Sequence, residues 1–195
     1  MSHLQEIMNN TGLGLMEYLA FQGRLFTASD GDENDRVTGQ TSFAVTTPTF
    51  MIDVPLGTTC IPLFVNLTQA GSVAGGDISI QISIDNADKY ASSGTSETVL
   101  NPRTSSGRAN LCTLYSNPTG ETGYGVRVFS AVTSPDVSPA EAAVQGPYWS
   151  AEIPYVIEGP GAFQVYTYAT GTGPTWEWSI GWAEIPTKDI PRFGE

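Results

Sequence analysis

The residues that could do chemistry in this 195-residue chain are few. Its one histidine is His3, in an N-terminal segment outside any expected folded core. A nucleophile–histidine–acid system needs an imidazole held inside a site, and an imidazole metal centre needs several. No Gly-x-Ser-x-Gly elbow, phosphate-binding loop or dinucleotide fingerprint occurs, and the lysines are only Lys89 and Lys188. Cys60 and Cys112 are the only cysteines. Both fall in apolar, strand-like stretches and read as buried free thiols. A single disulfide is the alternative, and it requires their strands to be neighbours. Two cysteines without further ligand spacing do not make a zinc site. Asp30, Asp32 and Asn34 share the alternate spacing of a calcium loop. Position six then holds Asp35 instead of glycine and position twelve holds Thr41 instead of glutamate, so the stretch reads as a solvated turn. Glu152, Glu158, Glu177 and Glu184 lie on or near the late strands, and glycoside hydrolysis needs only two carboxylates across a cleft. Among twenty acidic residues some proximity is inevitable, so no pair stands out. The expectation is a protein without catalytic residues, bound cofactor or metal.

The sharper pattern is aromatic. Trp176, Trp178, Ile180 and Trp182 alternate on one face of the last strand, opposite Glu177, Ser179, Gly181 and Ala183. Tyr166 and Tyr168 share a face of the preceding strand, and Trp149 precedes another. Such a row fills a sandwich core, forms a subunit interface, or stacks on sugar rings. Spacing alone leaves all three open. Trp176, Trp178, Trp182, Tyr166 and Tyr168 are therefore the candidate interface or glycan-platform residues.

The elements that must position these residues are strands. Ile78, Ile80, Ile82 and Ile84 alternate with Ser79, Gln81 and Ser83, a period of two that gives one apolar and one polar face. Phe50, Ile52, Val54 and Leu56 line one face of an earlier strand, with Met51 and Asp53 pointing the other way. Ile61, Leu63, Val65 and Leu67 are expected to share a face, with Pro62 marking an edge or a bulge because it lacks a backbone donor. Further strands are expected at 21–28, 41–46, 97–100, 111–115, 124–129, 151–157, 163–170 and 176–184. Gly71 to Gly76 reads as a flexible turn, and residues 85–109 as a long polar excursion. A helical turn capped by Ser138, with Pro139 and Glu141, is expected within 132–148.

Twenty-one glycines and thirteen prolines fit many turns and few long helices. Eight to ten short strands, each with one apolar face, predict an all-β, two-sheet antiparallel β-sandwich, a jelly roll first and an immunoglobulin-like topology second. The division expected is an N-terminal arm or short helix over residues 1–20, one sandwich domain over 21–185 and an irregular tail over 186–195. Leu4, Ile7, Met8, Leu15, Met16 and Leu19 carry the helical spacing in the arm, and Gly12 and Gly14 interrupt it. A net charge of -12 argues against broad attraction to nucleic acid or anionic membrane. No apolar run reaches transmembrane length, and the N-terminus lacks the features of a signal peptide, so export by that route is not expected.

The stretch TSFAVTTPTFMIDVPLGTTCIPLFVNLTQAGSVAGGDISIQISIDNADKY, followed after a gap by SETVLNPRTSSG, resembles sandwich-type structural proteins of tailed-bacteriophage virions. The resemblance covers 50–65 residues or so and rests on texture and ordering. It implies a non-enzymatic capsid-decoration, minor-capsid or accessory virion protein, acting as a homo-oligomer, with a trimer as one candidate. The implied partners are a major capsid or other virion proteins, and the implied location is the virion. No catalytic residues carry over. A carbohydrate-binding module or virion adhesin that presents its aromatic residues to glycans is the alternative.

Overall fold

A computed structural model of the chain describes residues 14–31, 35–70, 77–133 and 149–190. The expected turn at Gly71–Gly76, the helical turn around Ser138, His3, Asp32 and Asn34 lie outside these residues, as does most of the N-terminal arm. The arm's described part is a single short helix, α1 (Leu15–Phe21), whose Gly14 N–H donates to Glu17 Oε2 at 2.8 Å.

Among the described residues fourteen strands follow: β1 (Leu25–Ser29), β2 (Val37–Thr38), β3 (Phe50–Val54), β4 (Thr58–Ala70), β5 (Ile78–Asp85), β6 (Tyr90–Ser92), β7 (Thr95–Ser96), β8 (Thr113–Ser116), β9 (Thr119–Gly120), β10 (Val126–Thr133), β11 (Trp149–Ser150), β12 (Ile157–Glu158), β13 (Gly161–Ala169) and β14 (Thr175–Pro186). They form two packed antiparallel sheets. One runs β1-β14-β4-β11, with β12 also on β4 and β2 on β14. We call it the tryptophan sheet. The other, the isoleucine sheet, runs β10-β5-β13-β3-β8-β7, and a small β6-β9 ladder stands apart.

Burial explains the pairing. Ile78, Ile80 and Ile82 of β5, Phe50, Ile52 and Val54 of β3, and Phe163 and Val165 of β13 meet Val65, Leu67, Trp176, Trp178, Ile180 and Trp182 in one core. Phe50 and Trp178 touch across the two sheets with ring centroids 4.9 Å apart, and Trp149 and Phe163 do so at 5.4 Å. The chain passes between sheets at β3–β4 through a tight turn that holds Gly57 at φ +84, a left-handed geometry that favours glycine.

One expected face is corrected. The ladder between β4 and β14 slips at Gly181/Trp182, where Phe64 faces Gly181 and Pro62 faces Trp182, leaving Leu63 unmatched. Val65 and Leu67 stay in the core. Ile61 and Leu63 join a second, outer cluster under α1, with Leu19, Ala183 and Leu25. Pro62 cannot donate to a ladder, and a bulge is one of the few ways a central strand accommodates it. Gly181 fits because any Cβ there would come within 2.3 Å of the Phe64 ring.

Three other expected strands are shorter than expected or missing. Residues 41–46 form bends and turns, with Thr47 N–H donating to Ala44 O at 3.1 Å. Residues 151–156 are irregular around Pro154, so only the two-residue β11 and β12 remain. Leu100 makes a single bridge to Thr27 instead of joining a strand over 97–100. The polar excursion has the largest structural consequence. After β5 the chain leaves, adds β8 and β7 to the far edge beyond β3, and returns as β10 beside β5. On its way it crosses the outer face of the isoleucine sheet: Gly120 N–H donates to Thr46 O at 2.9 Å and lies over Met51 and Gln164. Met51, Ser83 and Gln164, which point away from the core, are buried for that reason. The C-terminal stretch of β14 reaches Pro186 and passes into one 3-10 turn, Thr187–Asp189.

Candidate functional site

The tryptophan row is interior. Trp176 and Trp182 are 0% exposed and Trp178 4%, all facing the isoleucine sheet. Their role as an interface or glycan platform is therefore corrected: β14 is a central strand between β1 and β4, so its apolar face has the opposite sheet as its partner. Two of the indoles find buried acceptors. Trp176 Nε1 donates to Thr167 Oγ1 at 2.9 Å, and that hydroxyl lies 2.8 Å from Thr49 Oγ1. Trp182 Nε1 donates to Glu184 Oε1 at 2.9 Å, and the ring stacks on Phe26.

The four late carboxylates are not brought together. Glu152 and Glu158 are exposed, and Glu177 is exposed and pairs with Arg36 at 2.7 Å. Glu184 is buried in the core. Its carboxylate accepts the backbone N–H groups of Leu111 at 2.7 Å and Cys112 at 3.1 Å as well as the Trp182 indole. Three donors on one carboxylate make a structural cage, holding the excursion to the end of β14. Near the turn after β1, burial pushes the Glu97 carboxyl upward, with Asp35 and Asp30 adding to it against a lowering hydrogen bond from Ser116. Among the described residues no group of three or more His, Cys, Asp or Glu is arranged to hold a metal ion.

The aromatic surface that remains is on the outer face of the isoleucine sheet, beside the tyrosines. Period two on β13 sends Phe163 and Val165 inward and Tyr166 and Tyr168 outward. The irregular segment before β3 lays Phe43 against both tyrosines, with centroids 5.2 Å from Tyr166 and 5.7 Å from Tyr168. Tyr124, just before β10, meets Phe43 edge-on at 5.6 Å. Tyr166 is buried beneath, its hydroxyl donating to Val45 O at 3.0 Å, and burial pushes its ionisation far upward. Phe43, Tyr124 and Tyr168 are half-buried. Their polar edges are tied together through Gln81 of β5, whose Nε2 donates to Tyr168 Oη at 2.6 Å while Tyr124 Oη donates to its Oε1 at 3.3 Å. The exposed Arg127 of β10 donates from Nε to Tyr124 Oη at 3.4 Å, with its guanidinium 5.7 Å from the ring centre.

This cluster lies beside an open sheet edge. Among the described residues β10 pairs only with β5, and its Val126 and Val132 are 68% and 64% exposed. The free edge of β1, by contrast, is capped by two backbone bonds between Thr27 and Leu100, of 2.9 and 2.7 Å. The cluster holds no nucleophile or base poised against another group. It offers rigid rings with oriented hydroxyls, one amide and one cation, which is the chemistry of recognition.

Sequence reasoning pointed to Tyr166 and Tyr168 and missed Phe43, Tyr124, Gln81 and Arg127. Gln81 was visible as the outward polar position among the isoleucines. Nothing local placed Phe43 or Tyr124 over the same face. No protein family, curated protein or solved structure matches the chain.

Proposed function

We propose that this chain is a non-enzymatic structural protein of a virion, decorating or stabilising a phage capsid through protein–protein contacts made by the outer face of its isoleucine sheet. The observation that carries the assembly reading is the half-buried Phe43/Tyr124/Tyr168 cluster, with Arg127 at its margin, next to the edge of β10 that has no strand partner among the described residues. Aromatic rings and arginine dominate the energetics of protein interfaces, and an open edge offers main-chain pairing to a neighbour. The occupant is a second copy of this chain in a homo-oligomer, a trimer being the candidate symmetry, with the other virion subunits as further neighbours.

The fold reading is a jelly roll. With β2 and the short strands of the excursion set aside, and β11 and β12, which both pair with β4, counted as one position, one sheet has the order β1-β14-β4-β11/β12 and the other β3-β13-β5-β10. First strand beside last, and second beside next-to-last, is the order of two nested Greek keys, and this supports the jelly roll over the immunoglobulin-like alternative. Jelly rolls serve in viral capsids and in lectins, so topology alone does not choose between the two functions.

Sedimentation velocity over a wide concentration range tests the assembly reading. A discrete oligomer at micromolar concentration supports it. A strict monomer at the highest concentration, with no binding to virion shells, overturns it. The second reading, glycan binding, draws on the Tyr124 and Tyr168 rings with Gln81 between them, a stacking surface with a polar rim. Glycan-dependent quenching of tyrosine fluorescence in a variant whose tryptophan signal is filtered out would favour it, and flat titrations across a broad glycan panel would remove it.

A further inference from the structure

Cys60 and Cys112 are both free and fully buried, in one and the same core. They come from facing layers of the sandwich, so they meet across the core and not on neighbouring strands of one sheet as the sequence led one to require. Cys60 lies in β4 of the tryptophan sheet, paired with Glu184 on one side and Ile157 on the other. Cys112 immediately precedes β8 of the isoleucine sheet, and its N–H is bound by the carboxylate of the same Glu184 at 3.1 Å. Glu184 therefore brings the two together, its backbone pairing with Cys60 and its carboxylate holding the N–H of Cys112. Asn110 Nδ2 adds a bond to Cys112 O at 2.8 Å. Next in the chain, Leu111 is 58% exposed, so Cys112 is one residue from solvent in a segment without regular strand pairing.

We infer that Cys60 and Cys112 form a site of reversible covalent cross-linking, an intramolecular disulfide that ties the excursion and the isoleucine sheet to the tryptophan sheet. The oxidant is a low-molecular-weight disulfide such as glutathione disulfide. The Cys112 thiolate attacks one sulfur of the oxidant, forming a mixed disulfide and expelling one thiolate. The Cys60 thiolate then attacks Cys112 Sγ, forming the internal disulfide and expelling the second thiolate. The two protons lost by the cysteines go to the two departing thiols, so one disulfide is reduced as another is made. The hydrogen bond from Cys60, then burial, pushes the Cys112 thiol strongly upward, so the closed fold keeps it protonated and unreactive. The exchange passes through a local opening of residues 110–112, which releases the Glu184 cage on one side only. Closure then spans a loop of about fifty residues, long enough for the constraint on the unfolded chain to register as stability.

The test uses the full chain and does not depend on any assembly role. Incubated with glutathione disulfide below its melting temperature, the protein loses both titratable thiols and gains a Cys60–Cys112 cross-linked peptide in a non-reducing digest. Its Tm rises by about 5–10 °C, and dithiothreitol reverses the rise. Cys60→Ala and Cys112→Ala each abolish the cross-link and the rise. Cys60→Ser serves as a second variant if either alanine form fails to fold. Two results overturn the inference: thiols that stay titratable in the folded protein while the urea-unfolded chain oxidises, or a cross-linked form that melts at or below the reduced one.

Discussion

Two aromatic groups sit on adjoining stretches of this chain and meet opposite fates. The tryptophans of β14 face the second sheet and carry the core, while the tyrosines of β13 face outward, where Tyr166 is buried beneath Phe43 and Tyr124, and Tyr168 stays half-exposed. Both follow the same period of two. What separates them is the company of the strand's other face. On β14 the alternate face holds Glu177, Ser179 and Gly181, so the rings must go inward. On β13 the alternate face already supplies Phe163 and Val165 to the core, so the tyrosines are sent out. The indole row is closed by whole-sheet burial, and the N–H groups of Trp176 and Trp182 find Thr167 and Glu184. The tyrosine row is finished with hydroxyls, an amide and an arginine at the rim. The first arrangement stabilises the fold, and the second is suited to contact with another molecule.

The sharpest way to break this contrast is to truncate the core side of it. Trp182→Ala removes a fully buried ring, its stacking on Phe26 and a donor to Glu184, and should cost about 3–5 kcal/mol in urea unfolding. Glu184→Gln keeps the shape but turns an amide donor toward a site filled with donors. A loss of about 2–4 kcal/mol is expected in the same assay, with faster hydrogen exchange at Leu111 and Cys112. Thr49→Val breaks the hydroxyl pair behind Trp176 and should cost about 1–2 kcal/mol. On the outer side, Arg127→Ala should change stability by less than about 0.5 kcal/mol, since the side chain is exposed and its bond is to the Tyr124 hydroxyl at the rim. If it destabilises as much as a core change, the two regions do not differ as described.

The smallest effect expected is one of pH. Burial, and Asp88 second, raise the Asp53 carboxyl above its ordinary value of 3.8. A raised carboxyl means the folded state holds its proton more tightly than the unfolded state. Stability from this group is then present at low pH and is lost as pH rises through 3.8 toward the raised folded value. Asp53→Asn should therefore be more stable than the parent protein at pH 7, with the difference vanishing below pH 3.8 in paired melting curves.

Much of the fold was legible because strand periodicity is local. The isoleucine alternation of β5 and the tryptophan alternation of β14 are readable in eight to twelve residues, and both strands stand where the pattern places them. The parity of β14 also puts Glu184 on the tryptophan face. The Trp182 donor lies two residues away on the same face, but the other two donors that satisfy the carboxylate were not readable, because they lie more than seventy residues earlier in sequence. The bulge at Leu63 was half legible. Pro62 announces trouble in a ladder, but which neighbour slips depends on Gly181 across the sheet. The candidate surface was the least legible part. Tyr166 and Tyr168 could be found by spacing, whereas Gln81 joins them through the β5–β13 pairing, Arg127 through the pairing of β10 with β5, and Phe43 and Tyr124 through the irregular segments before β3 and β10.

The central claim is that the tyrosine side, and not the tryptophan side, is the surface that meets neighbours. Sedimentation velocity of the parent protein beside a Tyr168→Ala/Arg127→Glu double variant tests it most directly. The account predicts an oligomer for the parent and a folded monomer for the variant, with association weakened at least about tenfold and the melting temperature nearly unchanged. An oligomer of the same size and strength in both proteins would contradict it.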